Sequence, residues 1–278
     1  MLTVALDAVT TAAMLFIIAS GLLIVFGVMK IINFAHAAFL TVGGYAALVG
    51  AYLNLPWLLV LPLAFLSGAV CGGVTEIVIV RQLYKRPLDA ILATWGLGNV
   101  IGQIITLMFG REVQFVQAPI SGTLHLFGAD YSSYRLVMVA AAALIAALFT
   151  GLLNGTRLGL STRAVIMNEM LAQGLGVDST RVRLMTFALG SGLAALSGAL
   201  ITPLSSVDPN MGVPWLIGAF MLVMVSGGSL LALAVSCIVL GSLQVVVSTF
   251  VNPIIGGLTI AICAAIVLRI RPEGFARA

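Results

Sequence analysis

The chain has 278 residues, 61% of them hydrophobic and 8% charged, with a mean hydropathy of +1.19, where a soluble domain carries about 25% charged residues. Thirteen Lys and Arg against nine Asp and Glu leave a net charge of +4. That is too little charge to cover a globular surface, which excludes a soluble protein, and the small positive balance needs no nucleic acid to explain it.

A helix needs about 20 apolar residues to cross the hydrocarbon layer, whereas the strands of a membrane barrel are about 10 residues long and alternate. The apolar runs here are helix-length: 5–28, 31–53, 57–80, 89–109, 134–153, 184–203, 214–250 and 254–270. The fold class is therefore all-α, a polytopic integral membrane protein read as one domain over 1–278. The first run has no basic region before it, so it reads as a retained span rather than a cleaved signal peptide. Cys71, Cys237 and Cys263 lie in apolar runs at unrelated spacings and read as small buried hydrophobes.

Between the first two runs, GVMKIINFAHAAFLTVGG (27–44) places Lys30, Asn33 and His36 among glycines. Polar groups in a membrane are kept where a partner helix, a backbone break or a water path satisfies them. Asn33 and His36, three residues apart, can share a helix face. They fit either a structural role, hydrogen-bonding neighbouring backbone, or a place along a translocation route at its cytoplasmic end. In the span 89–109, Thr94, Asn99 and Gln103 are further candidates for such a route, with Thr94 and Gln103 read as approximately sharing a face. Gly68 and Gly72, Gly98 and Gly102, and the small-residue run 190–199 let helices approach closely, so these spans are expected to pack against others rather than face lipid.

Residues 110–133 contain Arg111, Glu112, Pro119, Gly122, His125 and Asp130 and form an extramembrane loop. The run 214–250 is too long for one span. Its centre, Ser226-Gly227-Gly228-Ser229, reads as a break, for a total of about eight or nine helices. Basic residues cluster at Arg81, Lys85 and Arg86, at Arg157, Arg163, Arg181 and Arg183, and at Arg269, Arg271 and Arg277. Cytoplasmic loops retain such residues. The expected orientation therefore has the N-terminus and the 110–133 loop periplasmic, and the 154–183 loop and C-terminus cytoplasmic.

That inner loop, RLGLSTRAVIMNEMLAQGLGVDSTRVR (157–183), is more than a linker. Ala164, Met167, Leu171 and Leu175 recur at helical spacing, and Arg163, Asn168, Glu169 and Gln173 supply a polar remainder. A short amphipathic helix is expected, capped by Ser161 or Thr162 and ended by Gly174 and Gly176, with Asp178 capping the next span. Such a face fits two uses, resting on lipid headgroups or docking into a partner protein.

The sequence has no phosphate-binding loop, so the chain is not expected to bind ATP. It also lacks His-Glu-x-x-His, Cys-x-x-Cys and Gly-x-Ser-x-Gly, which leaves no cofactor, metal site or hydrolase nucleophile to argue for, and the expectation is that it is not an enzyme. Asp7, Glu76 and Asp89 sit near span ends, where water is expected to reach them, which counts against an ion-driven carrier.

Four ordered segments resemble one family. GLLIVFGVMKIINFAHAAFLTVGGYAA, RQLYKRPLDAILATWGLGNVIGQ, the inner loop with the span after it, and the closing LRIRPEGF are similar to permease subunits of ABC importers for branched-chain amino acids and for urea or short amides. The resemblance covers nearly the whole chain and implies an ABC importer transmembrane domain. It further implies a second homologous permease subunit, two cytoplasmic ATPase subunits that hydrolyse the ATP, a periplasmic substrate-binding protein and an inner-membrane location. In that family an Ala-x-x-x-Gly loop docks on the ATPases, and the matching positions here are Ala172 and Gly176, flanked by Arg163, Asn168 and Glu169. The chain departs from the family at Ala37 and Ala38, where Gly-Glu is usual, and MVSGGSLLALAVSCIVLG keeps only part of a usual glycine-rich stretch. VDPNMGVPWLIGAFMLV and ILATWG look nearer the urea and amide branch. A stand-alone facilitator for a small neutral solute remains the other reading.

Overall fold

A computed structural model describes residues 1–126, 129–272 and 274–275. Arg277, one of the basic residues used for orientation, and Glu273 of the closing motif lie outside the described residues.

Among the described residues there are eleven α-helices. They are α1 (Leu2–Met29), α2 (His36–Tyr52), α3 (Trp57–Val78), α4 (Pro87–Phe109), α5 (Ser133–Gly155), α6 (Arg157–Met167), α7 (Glu169–Gly174), α8 (Ser179–Ser205), α9 (Val213–Ser226), α10 (Leu230–Phe250) and α11 (Pro253–Ile270). Seven of these, α1, α3, α4, α5, α8, α10 and α11, are long and apolar enough to cross a membrane. The 17-residue α2 and 14-residue α9 are the remaining helices that fall on the expected apolar runs. The break expected inside 214–250 is present: α9 ends at Ser226, Gly227 and Gly228 adopt φ of 62° and 90°, and the Ser229 hydroxyl accepts the Ala232 amide to start α10. A two-stranded antiparallel hairpin, β1 (Thr123–Leu126) with β2 (Ala129–Ser132), pairs His125 with Asp130 inside the 110–133 loop.

The chain divides into two compact units, with α1 and α5 each contributing to both. The first comprises 1–20, 117–145 and 214–278. Here the Asp7 carboxylate pairs with Arg135 and accepts the Tyr131 hydroxyl, and Thr10 and Tyr131 share a hydrogen bond of 2.8 Å. The Phe275 amide donates to the Val225 carbonyl at 2.8 Å, which seats the end of the described chain on the last turn of α9.

The second unit comprises 21–116 and 146–213. Its centre is α8 against α2 and α3, and the small residues explain why these helices meet there. A Cβ on Gly43 would overlap the Ala195 carbonyl, and one on Gly198 would overlap the Leu40 carbonyl. Gly68 and Gly72 likewise leave no room between α3 and Ser191 of α8. In lipid, where burial of apolar surface does not drive helices together, such backbone-to-backbone approach is a main source of packing energy.

Candidate functional site

Helix α2 begins later than the apolar run suggests, because residues 30–35 are not helical. Lys30 has a φ of 54°, and the Asn33 side-chain oxygen accepts the Ala35 amide at 3.1 Å. This local bond competes with continued helix and turns the chain into His36. The His36 amide donates to the Asn33 carbonyl at 3.4 Å, and the Phe34 amide donates to the Thr94 hydroxyl at 3.2 Å. Asn33, His36 and Thr94 are each no more than 2% exposed, and the Asn33 amide nitrogen makes no hydrogen bond.

The depth of this break follows from helix rise. His36 lies about 24 Å along α2 from its Tyr52 end, and Thr94 about 10 Å from the Pro87 end of α4, at 1.5 Å per residue. The hydrocarbon layer is about 30 Å thick. A span that starts at Tyr52 places the break about 6 Å short of the opposite edge of that layer.

A second break comes from the opposite end. After α8, Val207 and Gln114 exchange backbone hydrogen bonds of 2.8 Å. The segment 208–212 then descends until the Gly212 amide donates to the Thr41 hydroxyl at 3.3 Å, with Gly212 directly against the Ala37 carbonyl. Thr41 is about 16 Å from the Tyr52 end of α2, again at 1.5 Å per residue. The Met211 amide donates to the Asp208 carbonyl at 3.1 Å and the Val213 amide to the Asn210 carbonyl at 2.9 Å, so 208–212 is a chain of turns that ends where the 14-residue α9 begins.

Both breaks lie along α4. A Cβ on Gly98 would come within 3.8–3.9 Å of Phe34, Ala35 and Ala38, and one on Gly102 within 3.6 Å of the Pro209 carbonyl and 3.9 Å of the Asn210 side-chain oxygen. Thr94, Gly98 and Gly102 follow one another at four-residue intervals, hence on one face. The structure therefore brings Asn33, His36 and Thr94 together, but not Asn99 or Gln103. Asn99 is exposed, with its amide donating to the Trp95 carbonyl, and Gln103 is exposed too. Nine residues make two and a half helical turns, so Thr94 and Gln103 face opposite ways instead of approximately sharing a face. The segment Asp208–Gly212, noted in the sequence only for its family resemblance, and Thr41 were not read there as part of a route. A Pro flanked by Asp and Asn between two apolar runs was the available signal.

A cavity of about 320 Å³ lies between α2, α3 and α4, lined by Tyr45, Val49, Leu53, Val60, Leu63 and Phe109 among others. Its wall is almost wholly apolar. The Tyr45 hydroxyl is buried and makes no hydrogen bond.

The inner loop forms two helices rather than one. Thr156, not Ser161 or Thr162, caps α6 by accepting the Gly159 amide. Asn168 ends α6 in an extended conformation and caps α7 by accepting the Leu171 amide at 3.0 Å. Gly176, at φ 87°, closes α7, with the Val177 amide returning to the Ala172 carbonyl at 3.0 Å. Asp178 caps α8 as expected, accepting the Arg181 amide. Ala172 is buried, and Arg163 is exposed with its guanidinium donating to Asn154. Met167, Met170, Leu171 and Leu175 are 63–87% exposed, so the apolar side chains point away from the protein, not onto it.

Beneath this loop lies a paired-charge cluster. Glu76, expected within reach of water at a span end, is instead fully buried in the last turn of α3, where it accepts the Arg81 guanidinium at 2.8 and 3.3 Å and the Tyr84 hydroxyl. Arg183 of α8 stacks 4.2 Å over the Tyr84 ring and pairs with Glu169 of α7. Burial, and then the bond to Glu76, push the Tyr84 hydroxyl well above the usual phenol range. Among the described residues no group of three or more His, Cys, Asp or Glu is placed to hold a metal ion.

Residues 4–268 match the family described as the permease component of branched-chain amino acid transport systems. The chain is 25% identical over 264 residues to the high-affinity branched-chain amino acid transport system permease protein LivH of Salmonella typhimurium, covering 88% of this chain and 85% of that one. It is 28% identical over 241 residues to the probable branched-chain amino acid transport permease protein LivH of Methanocaldococcus jannaschii, covering 79% and 72%. It is also 28% identical over 204 residues to the ribose import permease protein RbsC of Haemophilus influenzae, covering 69% and 61%. No solved structure matches. The chain belongs to this family of transport permeases, and it is a helical, multi-pass membrane protein.

Proposed function

We propose that this member of the transport-permease family is one permease subunit of an ABC importer that passes hydrophobic, branched-chain amino acids into the cytoplasm. Its substrate route runs past the two helix breaks that meet on α4. The observation that carries the reading is the meeting of Ala37 and Gly212 deep in the second unit, beside Gly98 and Gly102. Broken helices at mid-membrane expose backbone groups that a passing solute can replace one at a time, and glycines leave room for it. The buried amide of Asn33 supplies a donor with no protein acceptor. A route of weak, replaceable contacts lets a solute leave as easily as it enters.

The apolar cavity beside Tyr45 favours an aliphatic side chain over urea or a short amide, which would forfeit hydrogen bonds to water there without compensation. The chain itself supplies no energy. We assign that task to two ATPase subunits docking on α6 and α7, where Met167, Met170, Leu171 and Leu175 form the exposed contact, Ala172 and Gly176 set its backbone, and Arg163, Asn168 and Glu169 flank it. A second permease and a periplasmic binding protein complete the assembly. In this arrangement the N-terminus and hairpin are periplasmic, and the basic ends of the helices cytoplasmic.

Reconstitution tests it. The chain, co-expressed with a second permease and ATPase subunits of this transporter class and supplied with a leucine-binding protein, should accumulate leucine in proteoliposomes only with ATP. ATP-independent equilibration of urea by the isolated chain would instead establish a facilitator.

A further inference from the structure

The cluster under the inner loop joins two stretches of the chain that are far apart in sequence, 76–84 and 169–183. Glu76 sits on α3, Arg81 and Tyr84 belong to the 3-10 turn Val80–Leu83 and the residue after it, Arg183 is on α8, and Glu169 is on α7. Two arginines and two glutamates balance in charge. Each ion pair has one shielded member: the Glu76 side chain is 0% exposed against 37% for Arg81, and that of Arg183 17% against 35% for Glu169. Glu76 is held on one side by Arg81 and on the other by Tyr84. Tyr84 in turn carries the Arg183 guanidinium on its ring, a contact that gains strength when water is excluded. Gln173 adds a second tie from α7 to the start of α8, donating to Ser179 at 2.7 Å.

The geometry points to a mechanical relay: Arg183 and Tyr84 are positioning residues that tie the surface helix α7 to the buried carboxylate of α3. A push on α7 is thereby delivered to α3 and α8 together. Those two helices are the pair locked by Gly68 and Gly72 against Ser191, with no slack for either to slide alone. The tie is also not saturated, because the buried Nε of Arg183 makes no hydrogen bond. A guanidinium with a spare buried donor has reason to change partner when α7 moves, as a two-arrangement element must. The relay deepens the coupling role proposed for the inner loop and rests on that reading for its purpose, though not for its existence.

Amide hydrogen exchange on the intact chain in lipid nanodiscs tests the tie without any partner. Glu169→Gln should accelerate exchange at residues 77–84, remote from the substitution in sequence, by about fivefold or more through loss of local protection. In a Tyr84→Phe background, which keeps the ring but cuts the bond to Glu76, Glu169→Gln should add nothing further at 77–84. Exchange at 77–84 unchanged by Glu169→Gln, or changed equally in both backgrounds, overturns the relay. In the assembled importer, Tyr84→Phe should leave ATPase binding intact and lower the substrate moved per ATP about tenfold, equivalent to about 1.4 kcal/mol of coupling. Unaltered substrate movement per ATP also overturns it. If the wild-type chain binds no ATPase, the proposed function fails, while the exchange result still decides the relay.

Discussion

The Gly212 amide donates to the Thr41 hydroxyl at 3.3 Å, which ties the turn 208–212 to the first turns of α2. Thr41 also donates to the Ala37 carbonyl, so one hydroxyl joins the 208–212 turn to the first turn of α2. Thr41→Val keeps the shape and removes both bonds. The expected result is a loss of about 1–3 kcal/mol in stability, since the Gly212 amide stays buried without an acceptor, read as a lower thermal midpoint in detergent.

Asn33 has two separable functions. Its oxygen holds the turn into α2, while its nitrogen has no protein acceptor. Asn33→Ser retains an acceptor for the Ala35 amide and removes the amide nitrogen, leaving only a shorter hydroxyl held at the turn. Assembly and thermal stability should stay near wild type, and uptake should fall about tenfold, the effect of removing about 1.4 kcal/mol of interaction with the passing solute.

Gly102 faces Pro209 and Asn210 across a gap of van der Waals size. Gly102→Leu fills the space through which the solute is proposed to pass and should reduce uptake by more than about tenfold, because an overpacked site costs about 1–3 kcal/mol. Gly151→Leu, on α5, where a Cβ meets nothing within 4 Å, serves as the control and should transport normally.

Gly176 adopts a φ of 87° with open space around it, so its requirement is conformational, not steric. Gly176→Val forces a β-branched residue into the left-handed region at a cost of roughly 1–2 kcal/mol and should loosen the end of α7. ATP hydrolysis by the assembled importer should then proceed with reduced uptake. Gly176→Asn, which tolerates that conformation, should recover most of the coupling.

The spans were legible because hydrophobic length is a one-dimensional property: each apolar run of the sequence corresponds to a helix, and Gly227-Gly228 marked the division of 214–250. The packing stripe of α3 was legible for the same reason, since Gly68 and Gly72 recur at the helical interval, but Gly98 and Gly102 recur the same way on α4, which is largely exposed. The breaks were less so. Asn33 and His36 stood out as polar residues in an apolar stretch, but what unwinds 30–35 is an Asn33 side chain competing for backbone, and sequence alone did not separate that from a polar helix face. The descent of 208–212 depends on contacts with α2 and α4, which no local pattern encodes. The two-helix inner loop shows the same limit: its apolar periodicity runs through Asn168, while the capping bond from Leu171 to Asn168 interrupts it.

The most direct test of the central claim places a cysteine at Gly98, in a chain whose three native cysteines are replaced, and asks whether a small water-borne thiol reagent reaches it in the assembled importer during turnover. The account predicts modification that leucine slows, because the two breaks line a route that substrate occupies. A cysteine at 98 that stays unmodified, or reacts equally with and without substrate while uptake continues, would place the route elsewhere and contradict it.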